Sequence, residues 1–167
     1  MRLLANTDGG VSGPDGYIGV RLVDHETGEV LAEHSAAIGE ATSNEAEYSA
    51  VLWALYQAEA WCAEHLTVRT DSQLVAYQVS GRYTVRNSAL REYWDEVQTT
   101  LARMRHGTLK TFKIEWVKRS ENAAADRLTW EPRPEEAARR QAGRRLRARA
   151  QRRDGKLLAE RKRLGLD

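Results

Sequence analysis

Two extended segments of this chain run into an aspartate through nearly the same residues, Asn6-Thr7-Asp8-Gly9-Gly10 and Arg69-Thr70-Asp71-Ser72. In a sheet covered by helices, side chains at the carboxyl ends of strands look into a common crevice. The repeated signal therefore predicts two strands of one sheet, each ending at an acid on the same edge. Residues 2–7 read as a strand that stops at Asp8, because Gly9-Gly10 punctuates it.

The intervening sequence fits that frame. Ser12 to Gly16 is turn chemistry, Tyr17 to Val23 a strand, His25 to Gly28 a second turn and Val30 to Ile38 a third strand. From Thr42 the period becomes helical, with Ala46, Ala50, Trp53, Ala54 and Ala60 in step and Thr42 or Ser43 as N-cap. Leu66 to Thr70 reads as a buried strand before Asp71. Ser72 to Val79 reads as a short helix stopped by Ser80-Gly81, and Asn87-Ser88 cap a longer one to about Arg105. Gly107 ends it, Thr111 to Val117 alternates as a strand, and Ser120 caps a helix holding Asn122 to Trp130. The order β-β-β-α-β-α-α-β-α predicts an α/β fold, a mixed sheet flanked by helices.

Glu131-Pro132-Arg133-Pro134 breaks the chain, which divides it into residues 1–131 and a helix-prone extension, residues 132–167, interrupted by Gly143 and Gly155. Charge divides at the same place. Residues 1–131 carry 13 Lys and Arg against 19 Asp and Glu, a net of −6; residues 132–167 carry 13 against 5, a net of +8. An acidic body with a basic tail suits a metal site beside a nucleic-acid contact, although basic tails are also often simply solvated. No apolar run reaches the roughly 18 residues of a membrane span. Met1 to Ala5 is broken at once by Asn6, Thr7 and Asp8, so the expectation is a cytoplasmic protein without membrane contact. Cys62 stands alone, which excludes an intramolecular disulfide and a thiolate metal cluster.

Glu47, early on the first helix, and Asp126, on the last, can lean over the edge where Asp8 and Asp71 sit. Singly each acid has a bland reading: Asp8 a turn residue, Asp71 a helix cap, Glu47 and Asp126 solvated helix residues. Jointly, four anions sharing one pocket need cations between them. An all-oxygen set suits Mg²⁺ or Mn²⁺, whereas Zn²⁺ favours His or Cys. Two such ions can activate a water and stabilise the leaving oxygen of a phosphodiester.

Across residues 2–130 these segments resemble the type 1 ribonuclease H family. The resemblance is carried by Asn-Thr-Asp8-Gly-Gly, by Ala-Thr42-Ser43-Asn44-Glu45-Ala46-Glu47-Tyr48, by Arg-Thr-Asp71-Ser72 and by Trp116 through Asp126-Arg-Leu. It implies a five-stranded mixed sheet and endonucleolytic cleavage of the RNA strand of RNA/DNA hybrids, with Asp8, Glu47, Asp71 and Asp126 holding two Mg²⁺ ions. Glu45 is not the ligand: two residues apart on a helix, it points about 200° from Glu47. The resemblance also implies hybrid contacts at Gly9, Gly10, Ser43, Asn44 and Ser72, and a DNA-phosphate pocket at Thr42 and Asn87, both of which also read as helix caps. It implies no small-molecule cofactor, and a monomer is expected.

Two departures mark the family's compact branch. The loop before Asp126 is only Lys118-Arg119-Ser120-Glu121 and lacks the histidine of many members; His25, His34, His65 and His106 lie elsewhere. Gly81 to Ser88 is too short for the basic helical protrusion that some members use to hold substrate. Arginines of the tail, Arg139, Arg140, Arg144 and Arg145 foremost, are expected to replace it by tracking phosphates without sequence preference. Two other readings stay open: a non-catalytic nucleic-acid-binding module on this fold, and a related nuclease such as a resolvase or recombinase acting on another substrate.

Overall fold

The computed structural model describes residues 1–130; the breaker at 131–134, the helix-prone extension and its arginines lie outside the described residues. Five strands form one sheet in the order β3-β2-β1-β4-β5. They are β1 (Arg2–Ser12), β2 (Asp15–Asp24), β3 (Val30–Glu40), β4 (His65–Thr70) and β5 (Thr111–Trp116). The first three form an antiparallel meander, and β4 and β5 add in parallel beside β1. The helices are α1 (Ser43–Ala60), α2 (Gln73–Val79), α3 (Ser88–His106) and α4 (Ala123–Trp130), so the expected element order stands.

The helix starts are set by local hydrogen bonds. Thr42 caps α1 and Glu45 returns the bond, its Oε2 accepting from the Thr42 amide at 2.6 Å. Ser72 caps α2 and Asn87 caps α3, each accepting from the amide three residues on. Asp71, one reading of which was a cap, yields that place to Ser72. Ser120 is likewise no cap: it lies inside a 3₁₀ turn, Arg119–Glu121, and α4 begins only at Ala123.

A larger correction concerns β1. It does not stop at Asp8 but continues to Ser12, with Asp8 opposite Gly19 and Gly9 opposite Ile18 on β2. Glycines punctuate a strand only where no partner holds them, and here the antiparallel neighbour does. What ends near Asp8 is the parallel ladder: its last pair is Thr7 with Thr70. Asp8 and Asp71 are thus the next residues on each side of the point where β4 leaves the sheet.

Alternation along β1 assigns the two faces. Leu3, Ala5 and Thr7 are buried on the side of α1, where they join Leu22, Leu66 and Val68. Gly9 shares that side, and a Cβ there would lie 2.2 Å from the Glu47 amide nitrogen. Asp8 points to the other side with Gly19, whose Cβ would meet the Ala125 carbonyl of α4 at 2.3 Å. One bare glycine therefore lets α1 down onto the sheet, and a second does the same for α4 on the opposite face. Helix α1 is more enclosed than a single alanine face suggested: Tyr48, Val51 and Leu55 are also fully buried, because α3 covers it with Val97, Leu101 and Met104.

Candidate active site

Three of the four expected acids meet. Asp8 from β1, Glu47 from the first turns of α1 and Asp71 just past β4 offer carboxylate oxygens that all lie within 4.8 Å of one another. The two faces of the sheet can contribute to one site because β4 ends there. Asp126 on α4 stands beside the group rather than in it. Its Oδ1 accepts from Arg119 Nη2 at 2.6 Å, although its charge still acts on Asp8.

Neighbours fix each acid. Asp8 Oδ2 accepts from the Thr129 hydroxyl at 2.7 Å, across 121 positions of sequence. Glu47 Oε2 accepts from the Thr70 hydroxyl at 3.3 Å. Asn122 is fully buried; its amide donates to the Thr7 carbonyl at 2.9 Å, and its Oδ1 accepts from Asn6 at 3.2 Å. That pair of bonds ties the start of α4 to β1. Thr70, Thr129, Asn122, Arg119 and Gly19 escaped the sequence reading. The bonds by which Thr70, Thr129 and Asn122 reach the acids and β1, and the approach of α4 to Gly19, span tens of positions, whereas the Arg119–Asp126 pair lies in a turn of unforeseen geometry.

The electrostatics are those of anions short of cations. Burial pushes Asp8 up to about 6, with Asp71 and Asp126 adding to the effect and the Thr129 bond opposing it. Burial likewise pushes Glu47 up to about 9, reinforced by the charges of Asp8 and Asp71. Asp71 Oδ1 is buried and has no hydrogen-bond partner. An acceptor of this kind costs free energy unless something else meets it. A hard divalent cation fits all three observations, and Asp8, Glu47 and Asp71 could hold it, with Asp126 at its margin.

Those shifts carry a prediction. Both folded carboxyls hold protons more tightly than in the unfolded chain, where such groups ionise near 4. Their contribution to stability is complete below that pH and is lost as pH rises toward about 6 for Asp8 and about 9 for Glu47. In a chelator, the melting temperature is expected to fall between pH 5 and pH 9. A divalent cation favours the ionised forms, so its stabilising effect should grow over the same interval. Melting curves at matched pH with EDTA or with added cation test this; a cation effect equal at pH 5 and pH 8.5 would refute it.

The expected substrate contacts fall in separate places. Ser43 and Asn44 are exposed at the start of α1, beyond the cap. Gly10 lies under α4, 3.0 Å from the Thr129 methyl if it bore a Cβ. Thr42 spends its hydroxyl proton on Glu45 Oε2 at 2.8 Å. Asn87 uses only its Oδ1 as a cap, which leaves its amide NH₂ available to a phosphate. The histidines stay structural where contacts are seen: His34 stacks on Trp53 at 4.3 Å, and His65 meets Thr111.

A sequence profile of the reverse transcriptase-like family matches residues 6–130. A bifunctional protein of Mycobacterium tuberculosis is 37% identical over 132 residues, which are 77% of this chain and 34% of that protein. This chain thus spans about a third of the length of the curated relatives it first matches. The solved N-terminal RNase H domain of that M. tuberculosis protein aligns with a TM-score of 0.72 at 31% identity, over 79% of this chain and 98% of the domain. RNase H1 of Halobacterium salinarum gives 0.70 at 32% identity, over 77% and 94%. LC11-RNase H1, solved in complex with an RNA/DNA hybrid, gives 0.70 at 31%, over 78% and 96%.

Proposed function

The chain belongs to the reverse transcriptase-like family, among its ribonuclease H members, and from that membership we propose that it is a metal-dependent endonuclease hydrolysing the RNA strand of RNA/DNA hybrids. The observation that carries the reading is the unmet Asp71 Oδ1 beside Asp8 and Glu47, three carboxylates that call for cations rather than for one another. Mg²⁺ is the proposed metal, as two ions, with Mn²⁺ as a substitute, because every donor is a carboxylate oxygen. Bound there, the ions supply an activated water and charge stabilisation at the leaving oxygen.

The chain's own residues do the rest. Asp8, Glu47 and Asp71 place the ions, and Thr129 and Thr70 hold two of those acids in orientation. Asp126, now paired with Arg119, would complete the set that holds the ions. Backbone at Gly9 and Gly10, together with Ser43, Asn44 and Ser72, is the proposed contact with a minor groove, where a 2′-hydroxyl distinguishes RNA from DNA. Asn87 offers its free amide to a DNA-strand phosphate, and Thr42 can join it by giving up the Glu45 bond. All four acids belong to one chain, so the reading needs no second copy, and no helix among the described residues is long and apolar enough to cross a membrane.

Labelled RNA/DNA hybrid, double-stranded RNA, single-stranded RNA, duplex DNA and branched DNA, each with Mg²⁺, Mn²⁺ or EDTA, test the reading together. Cleavage of the RNA within the hybrid alone, abolished by EDTA, is expected. Hybrid binding without cleavage in any metal would favour a non-catalytic module. Cleavage of branched or all-DNA substrates instead would favour the resolvase reading. The tail is proposed to add non-specific grip: deletion of residues 133–167 should raise Kd for the hybrid and flatten its salt dependence, with turnover at saturation little changed. Equal affinities of full-length and truncated protein at low salt would sink the tail's role.

A further inference from the structure

We infer that a groove beside the acidic site binds unpaired nucleotides flanking a hybrid, an inference that rests on the hydrolase reading above. The groove lies between the end of α2 and the edge strand β5. It encloses about 310 Å³ and is lined by Tyr77, Arg82, Lys113 and Trp116 among others. That volume is at the small end of the range that takes a compact flat ligand.

Charge selects the occupant. Arg82 lies over the Tyr77 ring at 5.0 Å, and no carboxylate of the described residues pairs with it. The one acid of the lining, Glu115, is already met by Lys113 and by Arg69. The groove therefore keeps a surplus positive charge. Its aromatic surface is also open: Trp116 is 44% exposed, and Tyr83, outside the lining, stands edge-on to Tyr77 at 5.0 Å. Aromatic faces beside a cation, without a base-reading array, are the chemistry that holds single-stranded nucleic acid irrespective of sequence.

Position supplies the second argument. The Trp116 indole donates to the backbone carbonyl of Asp71 at 3.2 Å, which anchors the ring next to an acid of the site. Trp116 also lines the groove with Tyr77 and Arg82, so the groove adjoins the acids at Asp71.

The test uses the full-length chain, with fluorescence anisotropy in EDTA so that nothing is cut. A blunt hybrid is compared with the same hybrid carrying single-stranded extensions. The extended form should bind roughly tenfold tighter, in keeping with one stacked base. Arg82→Ala and Trp116→Ala should each erase most of that gain and leave blunt-hybrid affinity unchanged, while Trp116→Phe keeps it by preserving a stacking face. Arg82→Ala should also cleave the blunt hybrid at the wild-type rate when metal is added. No gain from the extension in the wild type, or equal loss for both substrates in the variants, overturns the inference. So does an Arg82→Ala effect on self-association without any effect of the extension, which would give the groove to a second copy pairing along β5. Wild-type failure to cleave the blunt hybrid would instead sink the hydrolase reading, leaving the extension comparison readable by itself.

Discussion

Asp71→Asn should reduce metal-dependent cleavage of an RNA/DNA hybrid by roughly a thousandfold or more, a transition-state loss of about 4 kcal/mol. The substitution keeps the side chain's shape and removes its charge. It also replaces one oxygen by a donor NH₂, which can bond to Asp8 where Asp71 could only repel it. Without metal the variant should therefore melt no lower than the wild type, because the cluster loses a negative charge that acts on Asp8 and Glu47. That pairing of readouts separates a lost ligand from a damaged fold. Hybrid affinity should change little, since the contacts proposed for Asn87, Ser43 and the tail are untouched. Cleavage within tenfold of the wild type would place the chemistry at other residues.

The second large effect is on folding. Gly9→Ala puts a Cβ 2.2 Å from the Glu47 nitrogen, 2.3 Å from the Ala46 carbonyl carbon and 2.6 Å from its oxygen. All three are backbone atoms of α1, which is pinned by Tyr48, Val51 and Leu55 and cannot yield as a side chain would. The expected cost is about 3 kcal/mol or more, near the top of the range for overpacking. For a chain of this size that lowers the melting temperature by roughly 10 °C. Gly10→Ala is the milder comparison: its nearest atom is the Thr129 methyl at 3.0 Å, one side-chain atom rather than helix backbone. Thermal melts of the two variants should differ clearly, with Gly9→Ala much the lower. Equal melting temperatures would mean that α1 does not approach β1 as described.

That contrast also shows where sequence reasoning stopped. Gly9-Gly10 looks like punctuation in the sequence, and the strand was expected to end at Asp8. A continuing antiparallel partner and a helix pressed onto Gly9 are contacts made by residues far along the chain. The same blindness hid the second covered face of α1 and the 3₁₀ turn that displaces Ser120 from its expected cap. It also hid the Arg119 guanidinium, which pairs with Asp126 beside the group of three.

What the sequence determined by itself was whatever a few neighbouring residues can enforce. Helix starts near Thr42 and Asn87 follow from side chains bonding amides three positions on, and helical geometry allows only one of Glu45 and Glu47 to face the site, the family resemblance selecting Glu47. Element order followed from hydrophobic period and breakers, and the four acids were legible because their short segments keep a distinctive order. Tertiary structure decided how those acids stand to one another. Asp8 and Asp71 converge because β4 pairs with β1 in a register that stops at Thr7 and Thr70. Glu47 and Thr129 reach them from opposite faces because Gly9 and Gly19 carry no side chain. Burial then raises the proton affinity of Asp8 and Glu47 and leaves Asp71 Oδ1 unmet. Burial and like-charge repulsion depend on separations across some twenty to a hundred and twenty positions of sequence, which no local pattern encodes. The two strand-end acids that first pointed to a common edge are thus one strand-end acid and one mid-strand acid, brought level by a ladder that ends between them.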